Sequence, residues 1–208
     1  MSADVLSFPG PVQSTDTGRG FNCFKSDGPI RYTRRCCRDA LIQATLDPDI
    51  VRIFEPDVAR TTPKDTFFNF GVEIGERRCL LALCDETNGE TFSAPSGFDL
   101  GICFNRDAIL AEPALTTSRT VWSRRDVLVP PAFSVRVLRR LATADVGLGL
   151  GELEDELVDE PKRWVDYILS MVCAGLVSCD CRHPITDDTR VGLGPPSGRR
   201  ATQKHWLY

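Results

Sequence analysis

At 208 residues, 42% hydrophobic and 26% charged, the chain has the balance of a soluble globular protein, with room for one large domain or two small ones. Its net charge of -4 excludes a globally basic nucleic-acid binder, so any contact with DNA has to come from local patches. No run of about 18 apolar residues is present to span a membrane, and MSADVLSFPG lacks the basic flank and apolar core of a secretory signal. Nine cysteines without such a signal, an odd number that includes the neighbours Cys36 and Cys37, point to reduced thiols in a cytoplasmic protein, most of them acting as small apolar core residues.

Residues 1–29 are rich in Gly, Pro, Ser and Thr, lack periodicity and read as a loosely ordered arm, partly strapped to the domain. RYTRRCCRDALIQATL predicts a helix over 31–46. Cys37, Leu41 and Ala44 share a face, Thr33 caps the start, and Asp47-Pro48-Asp49 ends it. A short strand over 50–54 stops at Glu55-Pro56. The stretch TFFNFGVEIGERRCLLALCDE then reads as a β-hairpin over 66–84: Phe68, Phe70, Val72 and Ile74 alternate, Gly75-Glu76 turns, and an apolar strand returns. A polar loop (85–97), a buried strand (98–104), a short helix from Arg106 to about Leu110 and a Thr-, Ser- and Arg-rich stretch over 115–125 follow. Val129-Pro130-Pro131 marks a boundary.

Beyond it the pattern is helical. Ser134 caps a helix over 135–143 carrying Val135, Leu138 and Leu141, and a second short helix spans 150–158. Pro161 opens a third over 162–174, with Trp164, Val165, Ile168, Leu169 and Val172 on one side and Gly175 as its stop. Two strands, 176–182 and 189–193, flank the turn His183 to Asp188. Three helices and a terminal hairpin make a winged helix-turn-helix. The expected organisation is an arm (1–29), an α/β domain with a restriction-endonuclease-like mixed sheet (30–128), a C-terminal winged helix-turn-helix domain (132–193) and a flexible tail (194–208). No internal repeat is visible.

Several phrases together resemble the TnsA-type transposon endonucleases, which join a PD-(D/E)xK nuclease domain to a winged helix. These are Cys37-Arg38-Asp39, Asp47-Pro48-Asp49-Ile50-Val51, Phe54-Glu55-Pro56, Phe68-Asn69-Phe70, and Ala114-Leu115 followed by Arg119 and Trp122. The likeness covers roughly residues 31–191 and is one of pattern. Carried over residue by residue, the helix Glu falls on Cys37, the strand Asp on Asn69, and the Glu-x-Lys pair on the stretch Leu81 to Cys84, with Leu83 a degenerate position. A Mg²⁺ site needs hard oxygen ligands, which a thiol, an amide and an apolar strand do not supply. The resemblance therefore implies a retained nuclease frame without its reaction, and no metal or other cofactor. The register leaves an alternative open: Asp65, Glu73, Asp85 and Glu86 lie nearby, and a shifted pairing that gathers them would keep a Mg²⁺-dependent endonuclease of a mobile element active.

Candidate DNA contacts are Arg34, Arg35 and Arg38 beside Arg31 on the first helix. Others are Arg124, Arg125, Arg136, Arg139 and Arg140 around the boundary, with Arg119 near them, and Lys162 and Arg163 at the start of the third helix, where a recognition helix reads bases. The acidic second helix (Glu152, Glu154, Asp155, Glu156, Asp159, Glu160) would repel DNA and keeps open a protein-docking role. Cys173, Cys179, Cys181 and His183 are zinc-type ligands at a spacing that favours a semi-buried strand instead. Cys36 and Cys37 have no placed base in His183 or His205, and Gly147 to Gly151 is a loop without a phosphate-binding Lys. Three readings result: a non-catalytic DNA-associated protein used for binding or regulation, an active endonuclease, and an adaptor docking a transposase-like or regulatory protein. Salt-dependent DNA binding separates the first from the third.

Overall fold

The computed structural model describes residues 19–57, 62–86, 89–157 and 163–194. Within them, β1 (Arg19–Phe21) pairs antiparallel with β2 (Ile30–Tyr32). Ile30 and Tyr32 alternate with exposed Arg31 and bury against the core, and this pairing overrides the helical reading of the segment. The first helix, α1 (Arg35–Leu46), consequently starts later than expected. Its N-cap is Arg34, which makes no side-chain cap bond, so Thr33 does not cap it. The described part of the arm, residues 19–29, is strapped to the core. Phe21 is buried, Lys25 is 6% exposed, and the Ile53 N–H donates to the Lys25 carbonyl at 2.9 Å. The rest of the arm and the tail beyond Gly194 lie outside the described residues.

Next come β3 (Ile50–Phe54), β4 (Thr66–Ile74) and β5 (Arg77–Cys84), with Gly75 taking the turn at a φ of 60°. The expected polar loop holds a two-residue strand, β6 (Thr91–Phe92), laid antiparallel on β7 (Leu100–Asn105). Helices α2 (Arg106–Ile109) and α3 (Ala114–Trp122) follow. The five-stranded sheet has the order β3-β4-β5-β7-β6; β5 and β7 are parallel and the other neighbours antiparallel. It is a mixed α/β architecture, compatible with a nuclease-like fold.

The sheet has two faces because side chains alternate along each strand. Phe70, Val72, Cys79, Leu81, Leu83 and Ile102 join the main core with α1, α3 and the later helices. Ala82, Cys84 and Cys103 form a separate small cluster under Phe92 on the other face. On that face the Phe54 and Phe92 rings lie where Cβ atoms of Gly71 and Gly101 would stand, so glycine is what allows each ring to close over its strand.

The last part of the chain comprises α4 (Pro131–Ala142), β8 (Leu148–Gly149), α5 (Leu150–Glu156), α6 (Trp164–Cys173), β9 (Val177–Cys179) and β10 (Arg190–Leu193). Helix α4 starts at Pro131, a favoured first-turn residue, and Ser134 bonds back to the Pro130 carbonyl instead of capping. Leu148-Gly149, expected as loop, pairs with β10, giving a three-stranded antiparallel sheet in the order β8-β10-β9. The expected strand 176–182 is cut to three residues because Asp180 turns back, its carboxylate accepting from the Arg182 N–H at 2.9 Å.

One core runs through both halves of the chain. Val121, Trp122, Phe133, Ile168 and Met171 belong to the same buried cluster as the sheet residues. The Ser170 hydroxyl donates to the Val127 carbonyl at 2.8 Å, and Cys173 Sγ to the Val121 carbonyl at 3.2 Å. Among the described residues, no helix is long and apolar enough to cross a membrane.

Candidate nucleic-acid interface

The three degenerate positions do not share a site. Cys37 is fully buried on α1, and burial pushes its thiol up to about 12. Leu83 points into the same core from β5. Asn69 pairs with Ala82 and faces the opposite side of the sheet, where it lines a shallow depression with Arg31, Glu55 and Asp57.

The four carboxylates that a shifted register would gather are also separated. Thr66 pairs with Cys84, so Asp65, Asp85 and Glu86 lie at the open end of the hairpin. Glu73 lies seven residues along β4, roughly 23 Å away at strand spacing, and is held by Arg52 at 3.2 Å and Arg78 at 3.6 Å. Among the described residues, no group of three His, Cys, Asp or Glu side chains is placed to hold a metal ion.

Beside these carboxylates the open end of the hairpin borders an arginine-rich cleft. Arg34, Arg35, Arg106 and Arg119 line a cleft of about 310 Å³ together with Asp39, Asp85, Phe67 and Leu110. Arg119 Nε and Nη2 meet Asp39 Oδ1 and Oδ2 at 3.0 and 2.6 Å, a planar fork on a carboxylate that is 1% exposed. The hydrogen bond to Asp39 is the main cause holding the Arg119 guanidinium above its ordinary pKa. Arg34 Nη1 contacts Asp85 Oδ1 at 3.0 Å, and its guanidinium lies 4.1 Å from the Phe67 ring centroid. A bulge between Thr66 and Phe68 puts Phe67 there: the extra residue turns its ring to the helical side, beside Phe68. Arg35 and Arg106 are exposed and have no charge partner among the described residues. Four guanidinium groups thus face two carboxylates.

Of the arginines expected to touch DNA, this cleft collects Arg34 and Arg35. It adds Arg119, noted only as part of the boundary cluster, and Arg106, noted only as a helix opener. Arg38 is half-buried farther along α1. Arg136 and Arg139 are exposed on α4, opposite the buried Phe133, Val137 and Leu141, and Arg140 donates to the Thr143 hydroxyl at 3.2 Å. Arg125 pairs with Asp126 at 3.0 Å and lies over Trp122.

Arg124 and Arg163 converge on one carboxylate, that of Asp166, at 2.7 and 3.5 Å. Arg163 is the N-cap of α6, and Lys162 lies outside the described residues. Helix α6, which they open, is mostly interior. Seven of its ten residues are buried, and it packs against both α3 and α1. Its all-round apolar character, visible in Ile168-Leu169 and Met171-Val172-Cys173, is the sequence signal for this burial.

Cys179 and Cys181 Sγ lie 3.6 Å apart and buried, with the Cys181 thiol raised by its hydrogen bond to Cys179 and by burial; His183 is exposed on the following turn. Cys36 is buried, and His205 lies outside the described residues. On α5, Glu152 accepts from the Gly149 N–H at 2.7 Å as part of a helix start, and Glu154 is exposed. Nothing is said by geometry of Asp155, Glu156, Asp159 or Glu160, which lie outside the described side chains. No protein-family model matches the chain, and no curated protein matches it.

Proposed function

We propose that the chain is a non-catalytic, DNA-associated protein with a frame derived from a TnsA-type transposon endonuclease, acting in DNA binding or regulation in the cytoplasm. The observation that carries this reading is the arginine-lined cleft at the open end of the β4–β5 hairpin. Guanidinium forks suit phosphate oxygens and do not ligate Mg²⁺, so this end of the hairpin is equipped for an anion. The order helix, strand, helix, helix, strand, strand over α4 to β10, with its β8-β10-β9 sheet, supports a winged helix as the second part of that frame.

Because α6 is packed against α1 and α3, DNA is held through its phosphates by the cleft and the outer face of α4, with little reading of base edges. The test is binding of a fluorescent duplex across a salt series. The affinity is expected to fall steeply, with a slope of about -0.9 per phosphate neutralised. A duplex that stays unbound at low ionic strength rejects the reading. Plasmid nicking with Mg²⁺ or Mn²⁺ that is abolished by Asp65→Ala or Glu73→Ala would reject its non-catalytic part.

A second reading, an adaptor docking a transposase-like or regulatory protein, is favoured by the same burial of α6 and by the exposed acids of α5. It gains if the duplex does not bind.

A further inference from the structure

We infer that the cleft between α1, α2 and α3 is a phosphate-monoester site. It takes either a free nucleotide or the phosphorylated end of a DNA strand. The inference deepens the DNA reading above by naming what the cleft recognises.

Three observations carry it. The first is charge: four guanidinium groups line the cleft against two lining carboxylates, a positive wall that suits a monoester dianion, with Glu112 near Arg119 and Asp65 beside Asp85 lying outside that lining. A phosphodiester within a strand carries one negative charge and matches it less well. The second is preparation. Asp39, a carboxylate that is 1% exposed, grips Arg119 in a two-pronged contact, while Arg34 meets Asp85 at the surface and lies over the Phe67 ring. A guanidinium already held in place loses little freedom when an anion enters. Arg35 and Arg106 have no charge partner among the described residues, so their donors remain available to it. The third is shape. A volume of about 310 Å³ exceeds what a phosphate needs, and Phe67 and Leu110 give it an apolar side against which a sugar or base can rest.

No covalent step is involved. The site binds and orients.

The test has two arms. In the first, a nucleoside 5′-monophosphate, inorganic phosphate and the bare nucleoside are titrated calorimetrically into the full chain. In the second, a duplex with 5′-phosphate ends is compared with the same duplex with 5′-hydroxyl ends by fluorescence anisotropy. Both are repeated with Arg35→Ala and Arg106→Ala. These side chains are exposed and have no charge partner among the described residues, so each variant is expected to keep the parent's thermal midpoint, and there are two of them in case one does not.

The expected result is a preference of about tenfold for the phosphorylated ligand over its phosphate-free counterpart, lost in both variants. If the duplex shows it, the source is a DNA end. If only the mononucleotide shows it, the cleft stands with a free nucleotide as its ligand, and the salt series decides separately whether the chain binds DNA. The inference is overturned if neither arm prefers phosphate, or if the preference survives both substitutions.

Discussion

Arg119 on α3 and Asp39 on α1 are 80 residues apart in the chain and meet in a two-pronged contact, Nε to Oδ1 at 3.0 Å and Nη2 to Oδ2 at 2.6 Å. The carboxylate is buried to 1% exposure while the guanidinium remains 44% exposed. The pair therefore does two things. It satisfies a carboxylate that α1 has carried into the core, and it fixes one wall of the cationic cleft.

Removing the arginine leaves the carboxylate buried without its partner. Breaking a fully buried pair costs about 3–5 kcal/mol. Solvent reaches the Arg119 side, so Arg119→Ala is expected to cost about 2–3 kcal/mol here. Arg119→Lys is expected to recover only part, since an ammonium cannot reproduce the fork. Urea unfolding midpoints check both.

Ile168 on α6 is fully buried within the core cluster that also contains Leu41 and Leu81. Ile168→Ala is expected to destabilise the protein by about 2–4 kcal/mol. Because one cluster spans the sheet and the last helices, the loss should appear as a single shifted transition. Tryptophan fluorescence and far-ultraviolet circular dichroism recorded on the same urea series check this, and two separated transitions would contradict it.

Alkaline pH acts on the thiols. Burial pushes Cys37, Cys103 and Cys173 each up to about 12, from an ordinary value near 9. The raised groups stabilise the fold fully below about pH 9, and that contribution is lost as pH rises toward 12, because the unfolded chain releases the protons first. Lys25 has the opposite sign. Burial lowers it to about 8 from 10.5, so the cost of burying its charge is present below pH 8 and is relieved as pH climbs toward 10.5. Cys79 and Cys181 are raised in the same direction, and together these thiols oppose one lysine, so stability is expected to fall between pH 9 and 11. Cys173→Ala should flatten the fall and Lys25→Met should steepen it. Unfolding midpoints at pH 7, 9 and 10.5 under reducing conditions are the measurement.

Gly71 lies under the Phe54 ring, which Phe98 stacks on from 5.9 Å and Arg78 covers at 4.8 Å. A methyl at this position overlaps the ring. Gly71→Ala is expected to cost about 1–3 kcal/mol through displacement of Phe54. Combining it with Phe54→Leu should cost less than the sum of the two single changes, and the double-mutant cycle reads that difference.

The misplacements have identifiable physical causes. The stretch 30–46 carries two signals, the alternation of Ile30 and Tyr32 and the helical spacing of Cys37, Leu41 and Ala44. Pairing with β1 awarded the first to a strand. Ser134 looked like a cap, but Pro131 starts the turn earlier. Asn69 and Leu83 were placed on one site by analogy of sequence, and the pleat sends them to opposite faces. The cations at the start of the third helix point to DNA, and its own apolar composition points to the burial it has.

By itself the sequence determined what depends on neighbours two to four residues apart. That covers the alternating hairpin of β4 and β5 turning at Gly75, the end of α1 at Asp47-Pro48, and the first-turn proline of α4. Only the tertiary structure decided which arginines meet. Arg34, Arg35, Arg106 and Arg119 are brought to one cleft by a parallel pairing of β5 with β7, a single bulge at Phe67 and the packing of α3 on α1. Each of those is settled by which surfaces bury together across long stretches of chain, and local periodicity carries no record of it.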